Sequence, residues 1–435
     1  MRNPLARPRI GVALFSRNLF HHLTLVAVLV AVAPTVVAAD DWEPLEVRRA
    51  ADVVSAEILD GAHYKIGDAV ETDGFLNFYD LQTDFGVLSA DSDWELEIRL
   101  DEVAAMVELA KVTKSKAFAN SLGDVAMAPV DAAADLVTDP IGTTKAVGKG
   151  VANLFRSTKR VAKKVTAKKE EPVEGAEPEE GGEEESAKSR SLADQALGTD
   201  KQRRLWAYKL RIDPYSDNEV LDAELERVAK ASAMGGSSLK IRTFETMEGG
   251  MPNVGNDLYL LGVLDLRARN EKILADAGLT AESFDAFEPF FDSPSLSPTL
   301  QTIIVDDFAR LAGVEGREEL LRMAAAMLTV DEARFQVGQT EFLAAYHERT
   351  KKLVRIQGGR AVPAAVAEDG EILLAIAADH LLWTEDLAVG LKARLDSLDA
   401  ETGGEKVDLW VAGDATEKAI RGLEAMGVRV RTSEF

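Results

Sequence analysis

The acidic stretch EEPVEGAEPEEGGEEES, residues 170–186, most limits how this chain can fold. It holds nine Glu, two Pro and three Gly, with Val173 and Ala176 as its apolar residues. Such a segment cannot bury enough apolar surface to offset the entropy lost when its backbone is ordered. We therefore predict a disordered acidic linker over residues 170–190, with a folded part on each side of it.

The segment before this linker, residues 141–169, is strongly basic, although the whole chain has a net charge of −24. Its apolar residues, among them Val147, Val151 and Leu154, recur at helical spacing, which predicts a basic amphipathic helix. Such a helix can lie on an anionic membrane surface, pack on its own protein, or bind an envelope protein. The residues that would contact a membrane or a partner are Lys145, Lys149, Phe155, Arg156, Lys159, Arg160, Lys163 and Lys164.

The N-terminus has the order of features found in a secretory signal peptide. Four Arg precede the apolar run LTLVAVLVAVA, and small residues follow at Val37 and Ala39. We expect cleavage after Ala39 and a periplasmic or secreted protein of 396 residues with a net charge of −28, because the removed segment carries four Arg and no acid. A retained anchor is the alternative, but the apolar run is shorter than the ~20 residues that span a bilayer.

Composition argues against several classes of function. The chain lacks cysteine, which excludes a lipid-modified cysteine, disulfides and thiolate chemistry. The acidic charge disfavours nucleic-acid binding outside the basic segment. His63, His347 and His380 are far apart in sequence, and no two have the spacing of a zincin motif, so we expect no metal site and no cofactor.

Hydrophobic patterning predicts an α+β protein. We expect a small N-terminal α+β domain over residues 40–140, a largely helical region over 191–350, and a C-terminal mixed α/β sheet over 351–435. The N-terminal domain would open with a helix from Glu43 to Leu59 and continue with two to four short antiparallel strands. The C-terminal part would contain a hairpin at Asp369-Gly370 and a strand, helix and strand crossover.

Three local patterns have structural interpretations. Ser297 followed by Pro298, and Thr329 with Glu332, are typical of helix starts. The oxygen-rich run around Asp213 lacks the ligand pattern of an EF-hand loop, so it favours turn and helix capping over calcium binding. A cluster of four Phe predicts core packing, with a peptide or lipid groove as the alternative; it comprises Phe284, Phe287, Phe290 and Phe291.

The candidate catalytic residues follow two C-terminal strands. Ligands of open α/β sheets collect beyond the carboxyl ends of the strands, so neighbouring strands would bring Asp379 and His380 close to Asp414 and Thr416. The structural alternative is that Asp414 and Thr416 cap a helix and that His380 is a partly buried residue. His347, late in a helix, is explained as a cation near a helix C-terminus. Motifs of serine hydrolases, nucleotide-binding and dinucleotide-binding proteins are missing from the sequence.

The stretches VTDPIGTTKAVGKGVANLF (residues 137–155) and RIDPYSDNEVLDAELERVAKASAMGG (residues 211–236) resemble an uncharacterised group of exported bacterial proteins with no assigned activity. The resemblance implies location and architecture and carries over no functional residue. We expect a non-enzymatic accessory or scaffold protein of the bacterial envelope that binds an anionic membrane surface or a protein partner through its basic helix. The alternative is a periplasmic enzyme, such as a hydrolase, with its site around Asp379, His380 and Asp414.

Overall fold

The N-terminal region forms an antiparallel sheet with a long helix packed on it. The computed structural model describes residues 42–115, 118, 198–233, 255–402 and 407–432. The central strand β4 pairs with three others, and β1 extends the sheet by pairing with β3. The strands are β1 (Arg48–Arg49), β2 (Tyr64–Ile66), β3 (Ala69–Thr72), β4 (Asn77–Thr83) and β5 (Gly86–Ala90).

The long helix of this region, α2 (Asp93–Thr113), follows β5 directly and begins at an N-cap residue. The Ser92 hydroxyl accepts a hydrogen bond from the backbone N–H of Glu95 at 2.9 Å, which satisfies a donor that the first helical turn leaves unpaired. Leu96 and Leu100 pack into the core of the sheet, whereas Met106 and its neighbours pack against later helices. The helix therefore joins the sheet to the helical region.

The predicted helix from Glu43 to Leu59 is wrong. Only the short helix α1 (Ala50–Val53) forms there, and Glu43 lies in an irregular segment bonded to the C-terminal part of the chain. Its N–H donates to the carbonyl of Trp383 at 2.8 Å, and its Oε2 accepts from the N–H of Trp383 at 2.6 Å and from the hydroxyl of Thr416 at 2.7 Å. These long-range hydrogen bonds override the helical periodicity of the local sequence.

The region that follows is helical, as predicted, and two predicted helix starts are confirmed. The hydroxyl of Ser297 accepts from the N–H of Leu300, with Pro298 in the first turn, and the hydroxyl of Thr329 accepts from the N–H of Glu332. The four Phe of the predicted cluster are buried in one core. The helices are α3 (residues 198–210), α4 (Glu219–Ala233), α5 (Asp257–Leu260), α6 (Val263–Asp276), α7 (Phe287–Phe291), α8 (Pro298–Arg310), α9 (Glu319–Ala325) and α10 (Val330–Arg349).

The C-terminal sheet is mixed, with the strand order β12-β10-β8-β7-β6. The predicted hairpin joins β7 and β8, and Gly370 in its turn has φ +85°, a conformation that glycine adopts without strain. Strands β10 and β12 are parallel and connected through a helix, as the crossover pattern predicts, and β8 also pairs with β10 in parallel. The elements are β6 (Leu353–Gln357), β7 (Ala364–Ala367), β8 (Ile372–Ile376), β9 (His380–Leu381), α11 (Glu385–Thr402), β10 (Val407–Val411), β11 (Asp414–Ala415), α12 (Glu417–Ala425) and β12 (Val428–Thr432).

Strand β8 is buried on both faces, which explains its continuous apolar sequence ILLAI. Ile372, Leu374 and Ile376 belong to a core that includes Leu387 of α11, whereas Leu373 packs in a second core with side chains of α10. The described residues from Trp42 onward belong to one compact unit. The predicted α+β class is confirmed, and the described helices include none that is long and apolar enough to cross a bilayer.

Candidate functional site

A cleft of ≈ 660 Å³ lies at the carboxyl ends of β8 and β10. Residues that directly follow these two strands line it, among them Asp379 and Gly413, and the start of α2 and one side of α10 also contribute to its walls. Because β8 and β10 are neighbouring parallel strands, their carboxyl ends meet at the same edge of the sheet, where ligands of α/β proteins bind. The cleft therefore occupies the position that the sequence predicts for a site.

Gly413, which lines this cleft, allows the backbone segments after β8 and β10 to approach each other closely. Its N–H donates to the carbonyl of Ala378 at 2.8 Å, and the N–H of Asp414 donates to the carbonyl of Asp379 at 3.1 Å. A Cβ atom at position 413 would lie 2.2 Å from that carbonyl oxygen of Asp379. Only glycine permits so close an approach of the two backbones.

The side chain of Asp379 connects the C-terminal sheet to the N-terminal region. Its Oδ2 accepts hydrogen bonds from the backbone N–H of Asn77 at 2.9 Å and of Asp93 at 3.1 Å. Burial raises the pKa of Asp379 well above its ordinary value, and the charge of Asp93 raises it further, against the opposing effect of the two N–H donors. Asp379 is therefore a carboxylic acid that holds its proton at a pH where an exposed Asp has lost it.

Asp93, the first residue of α2, is the second carboxyl group at this end of the cleft. Its Oδ1 accepts from the amide of Asn77 at 2.8 Å and from the hydroxyl of Tyr79. Burial, followed by the charge of Asp93, raises the pKa of Tyr79, so this hydroxyl keeps its proton and remains a donor. Two donors thus hold the Asp93 carboxylate next to the protonated Asp379.

A second pair of carboxyl groups, Asp91 and Asp331, lines the same cleft. Burial, the charge of Asp331 and the charge of Glu95, in that order, raise the pKa of Asp91 to about 7. Burial and the charge of Glu95 also raise the pKa of Asp331. Both carboxyl groups therefore hold their protons to a higher pH than exposed carboxyl groups do.

Arg334 brings a positive charge to the cleft, but other carboxylates already bind it. Its guanidinium contacts Glu95 at 2.8 Å and Asp217 at 2.9 Å. Arg99 contacts the same two acids, at 2.6 Å and 2.9 Å. Two arginines and their acids thus form a network that holds α2 to α10 and to the loop before α4.

The structure brings the four candidate catalytic residues close together at the ends of neighbouring strands, as predicted, but it places only one of them in the cleft lining. Asp379 lines the cleft, whereas His380, Asp414 and Thr416 are not among the residues lining it. Nδ1 of His380 contacts the Asp414 carboxylate, and this contact lowers the pKa of Asp414. The interpretation of Asp414 as a helix cap is wrong, because the cap of α12 is Thr416, whose hydroxyl accepts from the N–H of Ala419 at 3.0 Å.

Two other sequence interpretations have clear outcomes. The interpretation of His347 as a helix-terminal cation is wrong, because burial lowers its pKa and its Nδ1 accepts from the N–H of Leu353 at 3.0 Å. Around Asp213, capping is confirmed: the side chain of Asp213 accepts from the N–H of Tyr215, and Asn218 accepts from the N–H of Leu221. Within the described ranges, no cluster of three or more His, Asp or Glu is arranged to hold a metal ion.

Sequence reasoning missed Asp91, Asp93 and Asp331, which join Asp379 only through tertiary contacts. The available signal was the sequence SDWE at residues 92–95, which is typical of an N-cap residue followed by acids in the first turn of a helix. The basic segment with Lys145, Lys149, Phe155, Arg156, Lys159, Arg160, Lys163 and Lys164 lies outside the described residues, as do the acidic linker and the predicted signal peptide.

Comparisons with family models, curated proteins and solved structures found no match to this chain. The resemblance to uncharacterised exported proteins therefore stays a prediction, and the geometry of the cleft carries the functional argument.

Proposed function

We propose that the protein is a hydrolase whose active site is the cleft at the ends of β8 and β10. The observation that supports this proposal is the placement of the Asp379 carboxyl group against the start of α2, beside the Asp93 carboxylate. A carboxyl group that holds its proton beside a second carboxyl group is an arrangement used in general acid and base catalysis.

The roles follow from the hydrogen bonds. Both N–H donors bind Oδ2 of Asp379, so Oδ1 would carry the proton and deliver it to the leaving group. Both donors to Asp93 bind its Oδ1, so Oδ2 would accept a proton from the attacking water. The water oxygen bonds to the electrophilic atom of the substrate as the bond to the leaving group breaks, and one proton then returns from Asp93 to Asp379.

The test is hydrolysis of nitrophenyl esters, phosphates and glycosides by the protein and by the variant Asp379→Asn. The variant keeps an oxygen that can accept both N–H bonds but has no acidic proton, so we expect hydrolysis to fall about 10²-fold to 10⁴-fold. The rate of the unaltered protein should fall as the pH rises through the raised pKa of Asp379. Asp396→Asn, an exposed acid paired with Lys392 on α11, is the matched control. Hydrolysis of none of these substrates, or equal hydrolysis by Asp379→Asn, would refute the proposal.

The second candidate function is that of an exported accessory protein that binds the envelope through residues 145–169. The basic amphipathic pattern of that segment and the signal-peptide pattern of residues 1–39 support it. Replacing Lys149, Lys159, Arg160, Lys163 and Lys164 by Gln should abolish salt-sensitive co-sedimentation with anionic vesicles. If the unaltered protein does not bind such vesicles, we would expect this segment to pack on its own protein or to bind a protein partner.

A further inference from the structure

The charge of the cleft is unbalanced among the described residues. Four of its carboxyl groups come from the start of α2 and the turn before it: Asp91, Asp93, Glu95 and Glu97. Three others come from α10 and the end of β8: Asp331, Glu341 and Asp379. Against these seven acids the cleft has Arg334, which contacts Glu95 and Asp217 and also lies 3.7 Å from Asp331.

Two of these carboxyl groups, those of Asp91 and Asp331, hydrogen-bond to each other. Oδ1 of Asp91 is buried and receives no hydrogen bond from an N–H or hydroxyl donor of the described residues. A cationic donor that enters the cleft can replace the proton that this pair shares, because hydrogen bonds from charged donors to carboxylates are stronger than those between neutral groups. Burial is the largest cause of the raised pKa of Glu97 and of Glu341, and the charge of Asp93 adds to it at Glu97. Together these observations describe a site that is short of a positively charged donor.

Apart from Ser92, the remaining lining is apolar and includes two aromatic side chains. Leu76, Phe335 and Ala378 line the cleft, as does Trp94, which also lines a second cavity of ≈ 180 Å³. An indole face attracts organic cations, and apolar walls accept a hydrocarbon body. Within the described ranges, no three carboxyl groups are arranged so that they could hold a metal ion. The cleft therefore fits an organic cation better than a metal ion.

We infer that the cleft binds an organic cation, an amine or guanidinium attached to an apolar body, with the charged group next to Asp91 and Asp331. The inference takes the cleft as the substrate site proposed above and specifies the class of substrate. A cation placed there favours the ionised carboxylates, so binding releases protons and strengthens as the pH rises from 6 to 8. The charged groups that face this position are those of α2, α10 and β8 named above and Asp217.

Calorimetric titration of the full chain tests the inference with a matched set of probes. Tyramine is the cation, 4-(2-hydroxyethyl)phenol its neutral analogue and 4-hydroxyphenylacetate its anionic analogue, with cadaverine and agmatine as further cations. We expect at least one of these cations to bind; if tyramine does, it should bind about tenfold or more tightly than the neutral analogue, with proton release detectable by comparing two buffers of different ionisation enthalpy. Asp91→Asn and Asp331→Asn should each weaken cation binding about fivefold or more, whereas Asp396→Asn should not.

The inference would be overturned by no binding of any of the three cations, by equal binding of the neutral analogue, or by unchanged cation binding in the double variant Asp91→Asn/Asp331→Asn. Saturable binding of magnesium or calcium ions that displaces tyramine would reassign the cleft to a metal and would also overturn it. The hydrolase proposal is tested separately, because its readout is hydrolysis and the readout of this inference is cation binding. Cation binding without Asp379-dependent hydrolysis would refute the proposed function alone, and Asp379-dependent hydrolysis with a preference for anionic substrates would refute this inference alone.

Discussion

Oδ2 of Asp379 lies 2.9 Å from the backbone nitrogen of Asn77, a residue 302 positions earlier in the chain. The same oxygen accepts from the N–H of Asp93, so one carboxyl group satisfies two donors of the N-terminal region. Asp379→Ala would leave both donors without this partner and should lower the free energy of unfolding by about 2–4 kcal/mol. Asp379→Asn keeps an acceptor oxygen and should stay within about 1 kcal/mol of wild type in urea unfolding at pH 7. Equal stability of the Ala variant and wild type would show that these bonds contribute little.

Gly413 is predicted to be essential for the fold at the cleft. The Cβ of Gly413→Ala would lie 2.2 Å from the carbonyl oxygen of Asp379, so β8 and β10 would have to separate at their ends. We expect a loss of at least about 2 kcal/mol in the free energy of unfolding. Gly198→Ala is the control, because an added Cβ there meets no atom within 4 Å, and its helical position favours alanine. Similar stabilities of the two variants in thermal or urea unfolding would contradict the prediction.

Glu43 should contribute to the stability of the C-terminal sheet from the opposite end of the chain. Glu43→Ala removes the carboxylate that accepts from the N–H of Trp383 and from the hydroxyl of Thr416. We expect the free energy of unfolding to fall by about 1–3 kcal/mol. Glu46→Ala changes an exposed acid three residues away and should match wild type. A loss no larger than that of Glu46→Ala would rule out a stabilising role for this contact.

Asp307 should make the protein less stable as the pH rises. Burial, followed by the charge of Glu341, raises its pKa to about 7, and its buried Oδ2 has no hydrogen-bond partner among the described residues. The native state therefore holds this proton more tightly than the unfolded state, whose Asp pKa is about 3.9, so ionisation costs stability between about pH 4 and 7. Asp307→Asn should reduce the stability lost between pH 5 and 8 by on the order of 2 kcal/mol. The exposed control Asp396→Asn should keep the wild-type pH dependence, and an unchanged slope in Asp307→Asn would show that Asp307 does not titrate in this range.

Arg334 should be necessary for the packing of α2 against α10. Its side chain is 15% exposed and contacts Glu95, which is 4% exposed. Arg334→Met leaves Glu95 and Asp217 with Arg99 as their remaining ion-pair partner. We therefore expect the free energy of unfolding to fall by about 3–5 kcal/mol. Arg421→Met removes an exposed pair with Glu417 and should be close to wild type. If the two variants have the same urea midpoint, the buried network contributes no more than a surface ion pair.

Patterns of short range predicted much of the fold. The caps at Ser297 and Thr329, the hairpin turn at Gly370 and the parallel strands of the C-terminal sheet are as expected, because each depends on neighbouring residues or on a single periodicity. The helix predicted from Glu43 failed because its periodicity competes with hydrogen bonds to Trp383 that no local pattern contains.

The candidate site was predicted in part. Asp379 follows a buried strand, and the rule that ligands bind at the carboxyl ends of strands identifies it. Thr416 and Asp414 fit the same rule, yet one caps α12 and the other pairs with His380 outside the cleft lining. A position just after a strand therefore predicts the edge of the sheet at which a residue lies, but it does not predict whether the side chain faces the cleft.

By itself, the sequence determined the α+β class, the absence of thiol chemistry and the acidic character of the chain, because composition and local periodicity are properties of the residues alone. The sequence also predicts export and a basic amphipathic helix, and both stay predictions. Only the tertiary structure decided that Asp91, Asp93, Asp331 and Asp379 share one cleft. Their proximity arises from contacts across nearly three hundred residues, and the burial that raises the pKa of Asp379 exists only when those segments pack together.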